Sequence, residues 1–186
     1  MRIISGKFKH RIITKSVPAG VRPTTDQARE TIFNILAGSI EWDGARVLDL
    51  CAGTGALGFE ALSRGAAFCD FVEINRTTAG HIDTTAKSLH LTADDYRVHT
   101  VDSVLFVREL DDTHLYSVVF TDPPYHKKLL NSLLRILIER NVLHEDGIVV
   151  AEHDISEVLI LPENVSVFST RIFGTTVVDF MEIGRI

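Results

Sequence analysis

The sequence is 186 residues long, 45% apolar and of net charge −6, which fits one α/β domain with a sizeable core and at most a short appendage. No apolar run approaches the ~20 residues of a membrane span, and Met1-Arg2-Ile3-Ile4-Ser5-Gly6-Lys7 lacks the apolar stretch of a secretory signal. With Cys51 and Cys69 as the only cysteines, no disulfide framework is expected and a reducing cytoplasm is the expected setting.

In chain order, residues 2–4 and 10–14 are short β-prone runs around Gly6-Lys7-Phe8-Lys9, predicting a basic hairpin or extended arm. Residues 1–30 hold seven cations (Arg2, Lys7, Lys9, Arg11, Lys15, Arg22, Arg29) against Asp26 and Glu30, so the rest of the chain carries −11. A basic arm on an acidic body suits a local polyanion contact, although a solvated terminus has the same composition. Thr24-Thr25-Asp26-Gln27 fits a capping box opening a helix with Ala28, Ile32, Ile35 and Leu36 on one face, ended by Gly38. From Arg46 onward strands and helices alternate. Strands are predicted at Val47–Leu50, Phe68–Ile74, Tyr96–Val101, Ser117–Thr121 and Ile148–Glu152, with helices near 56–64, 76–90, 103–110 and 127–141. That alternation predicts a mostly parallel, doubly wound sheet. Val165–Phe173 and Thr175–Ile183, joined at Gly174, predict a C-terminal antiparallel hairpin on its edge.

Two segments carry chemistry. The first is Val47-Leu48-Asp49-Leu50-Cys51-Ala52-Gly53-Thr54-Gly55-Ala56-Leu57-Gly58, a strand entering a glycine-rich turn and a helix. Glycine lets a ligand lie against the backbone, and Glu73, twenty residues past Gly53, can accept from both hydroxyls of a ribose. The loop satisfies G-x-G-x-x-G, so a nicotinamide dehydrogenase competes. Asp49 tilts the choice, because a carboxylate beside the loop suits the cationic end of S-adenosylmethionine and repels a pyrophosphate. Asp102, ending the third strand, can accept from adenine or cap the helix starting at Ser103, and both can hold together.

The second segment is Thr121-Asp122-Pro123-Pro124-Tyr125, after the fourth strand. Two prolines fix φ and remove two N–H donors, leaving acceptors at the sheet's carboxyl edge. An exocyclic base amine is a weak nucleophile because its lone pair is delocalised. Acceptors at Asp122 and the Pro123 carbonyl can turn that lone pair toward a methyl donor while Tyr125 stacks on the base. The eight histidines show no zinc-type spacing, so no metal is expected. Cys51 and Cys69 read as small packing residues. His126 and His153 can face the cleft or serve the fold.

Together with Arg2-Ile3-Ile4-Ser5-Gly6-Lys7, Arg22-Pro23-Thr24-Thr25, Arg29-Glu30-Thr31-Ile32-Phe33-Asn34, Ala61-Leu62-Ser63-Arg64-Gly65-Ala66 and Glu152-His153, these segments run nearly end to end. In that order they resemble the RsmD family of bacterial 16S ribosomal RNA guanine-N2 methyltransferases. His10 stands where that family often has glycine. The resemblance implies a class I S-adenosylmethionine-dependent methyltransferase fold, Rossmann-like and mostly parallel. It implies an arm and helix over 1–40 and a methyltransferase domain over 41–186. The cofactor residues expected are Asp49, Ala52, Gly53, Gly55, Glu73, Asp102, Ser103 and Asp122. Asp122, Pro123 and Tyr125 are expected at the target guanine. Lys7, Lys9, Arg11, Arg22, Thr24 and Arg29 are expected on 16S ribosomal RNA, free or within a small-subunit particle. DNA adenine-N6 methylation uses the same acceptor logic, and a non-catalytic RNA-binding assembly factor could keep the fold.

Overall fold

A computed structural model describes residues 1–13, 25–111, 115–124 and 129–184. The elements are α1 (Asp26–Leu36), β1 (Arg46–Leu50), α2 (Ala56–Arg64), β2 (Phe68–Val72), α3 (Arg76–Ser88) and β3 (Tyr96–His99). They continue with α4 (Ser103–Glu109), β4 (Tyr116–Thr121), α5 (Leu129–Glu139), β5 (Leu143–Asp154), β6 (Val165–Phe173) and β7 (Thr176–Ile183).

The strands form one sheet in the order β3-β2-β1-β4-β5-β7-β6. β1 to β5 run parallel, while β7 is antiparallel to both β5 and β6. The predicted hairpin therefore exists, turning at Gly174 with φ +64°, and its second strand is the one that joins the sheet. Burial on both faces explains why the central strands read as apolar runs. On one face Val47, Phe71, Val118 and Phe120 pack against Phe33, Phe59, Leu62 and Ile82 of α1, α2 and α3. On the other, Leu48, Leu50, Val72 and Val119 pack against Val107 of α4 and Leu130, Leu133 and Leu137 of α5.

Several boundaries differ from the sequence expectation. β5 is longer than Ile148–Glu152 because His144–Asp146, exposed and polar, still lie in a strand whose Leu143 pairs with Tyr116. β2 and β3 stop earlier than expected, at Val72 and His99. In α1 the N-cap is Thr25, whose hydroxyl accepts from the Ala28 amide; Thr24, the expected start of the capping box, lies outside the described residues.

The first thirteen residues fold back on themselves through one antiparallel bridge, Arg2 to Ile12. His10 sits at φ +69°, a conformation that glycine adopts without strain. The arm and α1 contribute Ile3, Ile13, Ile32, Phe33 and Leu36 to the same core as the sheet. The residues that charge sets apart are thus built into the main core.

Candidate active site

Strand order reverses between β2-β1 on one side and β4-β5 on the other, so a crevice opens beyond the carboxyl ends of β1 and β4. Open α/β sheets bind ligands at this switch point. The glycine loop leaves β1 there, and Asp122 leaves β4 there.

The loop turns sharply. Cys51, Gly53 and Gly55 all have positive φ, at 60°, 54° and 73°. The Ala52 amide donates to the Val72 carbonyl at 2.9 Å, and the Gly55 amide donates to the Ala52 carbonyl at 2.7 Å. A Cβ on Gly58 would stand 2.3 Å from the Phe71 ring, so this glycine lets α2 lie close on the sheet. The Gly53 amide donates to Glu73 at 2.9 Å, and the Asn75 amide donates to its other carboxylate oxygen at 2.7 Å. Glu73 is thereby fixed beside the loop, half-buried, with acceptor capacity to spare.

Three carboxylates gather here. Asp49 is 3% exposed and accepts from the Gly58 amide at 3.0 Å. Burial pushes its pKa up to about 7, against the pull of the Gly58 amide and with help from the charge on Glu73. Asp122 is half-buried and lines the same small cavity as Asp49, Cys51, Gly53 and Thr54, with Met1 of the arm completing its wall. Cys51 lies 3.2 Å from the Ser103 hydroxyl. Burial, with Asp122, Glu73 and Asp49 adding to it, pushes its thiol up to about 12, so it stays protonated and is no nucleophile. Cys69 is buried.

An acidic crevice suits a cation. The donor set fits a sulfonium and an ammonium group, whereas a dinucleotide pyrophosphate would face Asp49 and Glu73 with no compensating cation among the described residues that line the cavity. The acidic lining thus favours a cationic cofactor over a pyrophosphate.

Asp102 caps α4, accepting from the Val104 and Leu105 amides at 2.9 and 3.1 Å through one oxygen. Its other oxygen is left for a second acceptor role. Pro123 is buried and Pro124 exposed, while Tyr125 and His126 lie outside the described residues. His153 points to β7: its Nε2 is 2.9 Å from Asp179 and its Nδ1 3.0 Å from the Asp154 carbonyl. Burial disfavours its charged form, yet Asp179, the Asp154 carbonyl and Glu157 together outweigh that and raise its pKa.

The cations of the arm sit elsewhere. Lys7, Lys9 and Arg11 are exposed, but the Lys7 amide donates to Ser63 at the end of α2 and the Arg11 guanidinium to Ser88 at the end of α3. Eight residues of α2 separate Ser63 from Gly55, a rise of ~12 Å. The arm tip therefore lies toward the opposite edge of the sheet from the crevice. Arg22 and Thr24 lie outside the described residues. Arg29 corrects the expectation of an RNA contact: its side chain is 0% exposed, donating to the Arg2 carbonyl at 2.7 Å and to Asp26 at 2.8 Å. It braces the arm to α1.

Sequence reasoning missed what docks the arm. Glu60, fully buried in α2, accepts from the Ile4 amide at 2.7 Å, the Ser5 amide at 3.0 Å and the Arg64 guanidinium at 2.9 Å. The Ser63 hydroxyl accepts from the Phe8 amide and donates to the Ser5 carbonyl. Gly6, at φ +80°, passes so near that a Cβ would stand 1.8 Å from the Ser63 carbonyl oxygen. The available signal was a carboxylate within the apolar run of α2, where an unpaired charge is rare.

The sheet order and the glycine loop at its switch point define a class I S-adenosylmethionine-dependent methyltransferase. The family described as Conserved hypothetical protein 95 matches residues 1–182. YlbH of Bacillus subtilis is 40% identical over 156 residues, 83% of each chain. Ribosomal RNA small subunit methyltransferase D of Haemophilus influenzae is 33% identical over 174 residues, 94% of this chain and 89% of that one. The solved structure of the yhhF protein from Escherichia coli matches with a TM-score of 0.84 at 31% identity, over 99% of this chain and 98% of that one. This chain belongs to that conserved family, the RsmD family.

Proposed function

We propose that this protein transfers the methyl group of S-adenosylmethionine to the exocyclic N2 amine of a guanine in 16S ribosomal RNA, in the cytoplasm. The observation that carries this reading is the placement of Asp122-Pro123-Pro124 directly across the switch point from the glycine loop, with Asp122 lining the cavity that Gly53 and Asp49 line. The relative in Haemophilus influenzae, named for the small ribosomal subunit's RNA, supports the choice of substrate.

When bound, the cofactor supplies a methyl group on a positively charged sulfur. The chain's own groups do the rest. Glu73 would accept from the ribose hydroxyls, and the spare oxygen of Asp102, with Ser103, would serve the adenine. The loop of Ala52, Gly53 and Gly55 would lie against the amino-acid end, with Asp49 holding its positive charge. Asp122 and the Pro123 carbonyl accept the two amine hydrogens of the target base, which draws the nitrogen lone pair out of conjugation. Tyr125, following Pro124 in the sequence, stacks on the extruded base. Lys7, Lys9 and Arg11 hold the RNA backbone away from the chemistry.

The test is transfer from tritiated cofactor to 16S ribosomal RNA, naked and in assembled small subunits, followed by nucleoside analysis. Label in N2-methylguanosine is expected. Label in another nucleoside overturns the base assignment, and RNA binding without label overturns the enzymatic reading.

A further inference from the structure

The grip proposed for the target amine does not say which base carries it. Asp122 and the Pro123 carbonyl can accept the two hydrogens of a guanine 2-amine or of an adenine 6-amine. The two bases differ one atom away: N1 of guanine bears a hydrogen, and N1 of adenine bears a lone pair. A group that tells them apart by this edge must stand beside Asp122 and accept.

Strand register brings such a group there. β4 and β5 pair through Phe120 with Val150 and Thr121 with Ala151. The next level sets Glu152 beside Asp122, one strand spacing of ~4.8 Å away. Val118 and Phe120 of β4, Ile148 and Val150 of β5, and Val178, the β7 partner of Glu152, belong to one core. Val119, Val149 and Ala151 belong to the other. Side chains alternate along a strand, so Glu152, two residues past Val150, shares a face with Asp122, two residues past Phe120.

The neighbouring residue holds this direction. His153 takes the opposite face, where its Nε2 meets Asp179 at 2.9 Å and its Nδ1 the Asp154 carbonyl at 3.0 Å. The Thr170 hydroxyl donates to the other oxygen of Asp179, which ties β5, β7 and β6 together next to Glu152. Glu152 itself is only 5% exposed, although burying a carboxylate is costly. A carboxylate has about four acceptor positions, so partners within the fold leave others for a ligand.

We infer that Glu152 selects guanine, its carboxylate accepting the N1–H while Asp122 and Pro123 hold the 2-amine. Adenine brings its N1 lone pair against the same carboxylate, so two acceptors face each other. The inference rests on the guanine-N2 reading above. It also gives the Glu152-His153 pair a division of labour: one residue reads the base and the other fixes the strand.

The experiment rebuilds the accepting 16S ribosomal RNA by ligation, with guanine or 2-aminopurine at the nucleotide that the parent chain labels. 2-Aminopurine keeps the 2-amine and has no hydrogen on N1. Single-turnover transfer to each RNA gives a preference ratio for the full chain and for its Glu152→Gln and Glu152→Asp variants. Glu152→Gln should lose ~10–100-fold on guanine, the worth of one hydrogen bond to a charged group. On 2-aminopurine it should hold or gain, because the new amide can donate to a bare N1, and the ratio falls accordingly. Glu152→Asp, which keeps the charge and withdraws it by one methylene, should give a ratio in between. Cofactor affinity by calorimetry should match the parent's in both. A merely structural role lowers transfer to both RNAs alike and leaves the ratio unmoved. The parent's ratio in either folded variant overturns Glu152 as the selector and leaves the proposed function standing. A parent chain that labels no guanine overturns both.

Discussion

The crevice and the arm differ in how their charges are used. In the crevice, Asp49, Glu73 and Asp122 stand together at one switch point, each held near the glycine loop. In the arm, the cations among the described residues disperse: Arg29 is buried as a brace, and Arg11 reaches the end of α3. Lys7 and Lys9 stay exposed beyond the far end of α2. Chemistry thus depends on a few residues whose spacing along the chain fixes their geometry. Positioning depends on residues whose type says little about where they point.

The largest expected effect tests the crevice. Asp122→Ala should reduce turnover by ~10²–10³-fold, the usual loss for one preorganised polar partner of a transition state, while the cofactor still binds. Single-turnover transfer beside calorimetry checks it, and near-normal turnover would remove Asp122 from the chemistry.

Next comes the arm's anchor. Glu60→Ala leaves the half-buried Ile4 and Ser5 amides without their acceptor and frees Arg64. A destabilisation of roughly 2–4 kcal/mol is expected, read as a lower urea midpoint. Amide exchange should show Ile4 and Ser5 losing protection while Gly53 keeps its own.

These two outcomes separate what could be read in the sequence from what could not. The strand–helix alternation, the glycine loop and the Asp-Pro-Pro turn were legible because each is local: φ, missing donors and apolar period follow from neighbouring residues. The start of β5 was not legible, since His144-Glu145-Asp146 looks like a loop and is a strand only through the pairing of Leu143 with Tyr116. Arg29 was misplaced because an arginine within a basic run defaults to the surface. Nothing near it in sequence announces that the Arg2 carbonyl, twenty-seven residues away, will be its partner. Asp102 stayed ambiguous for a physical reason: a carboxylate can cap a helix with one oxygen and offer the other to a ligand.

Glu73→Ala should weaken S-adenosylmethionine by about 1.5–3 kcal/mol, the range for hydrogen bonds to a charged group. Unchanged affinity in a folded variant would take Glu73 out of the site. Asp49 gives a smaller, pH-dependent effect. Its pKa near 7 falls when a cation binds beside it, so binding releases a proton and affinity rises with pH, by at most about tenfold per unit, until it levels above 7. Asp49→Asn keeps an acceptor for the Gly58 amide and should flatten that profile. The same shift has a stability sign: the folded pKa lies above the ordinary carboxylate value, so stability is lost as pH rises toward 7. The Asn variant should therefore melt higher than the parent at pH 8.

The smallest effect is in the arm, and it sharpens the contrast most. If Lys7 and Lys9 touch phosphates, each releases counterions when RNA binds, and replacing both with Gln should flatten the salt slope by ~0.7–0.9 for each phosphate no longer neutralised. Such interactions set register and carry little base information, so the nucleoside methylated should not change. Cofactor affinity should also hold, because the glycine loop is ~12 Å away along α2. Arg29→Gln is the informative partner to this variant. It removes the same kind of formal charge from the same stretch of sequence, but from inside the core. A lower melting temperature with an unaltered slope is expected for Arg29→Gln, against an unaltered melting temperature with a flatter slope for the lysines. RNA affinity across a salt series and thermal melts of both variants decide it. If the lysine variant keeps the parent's slope, the exposed cations are a solvated ribbon, and the RNA is held by other residues.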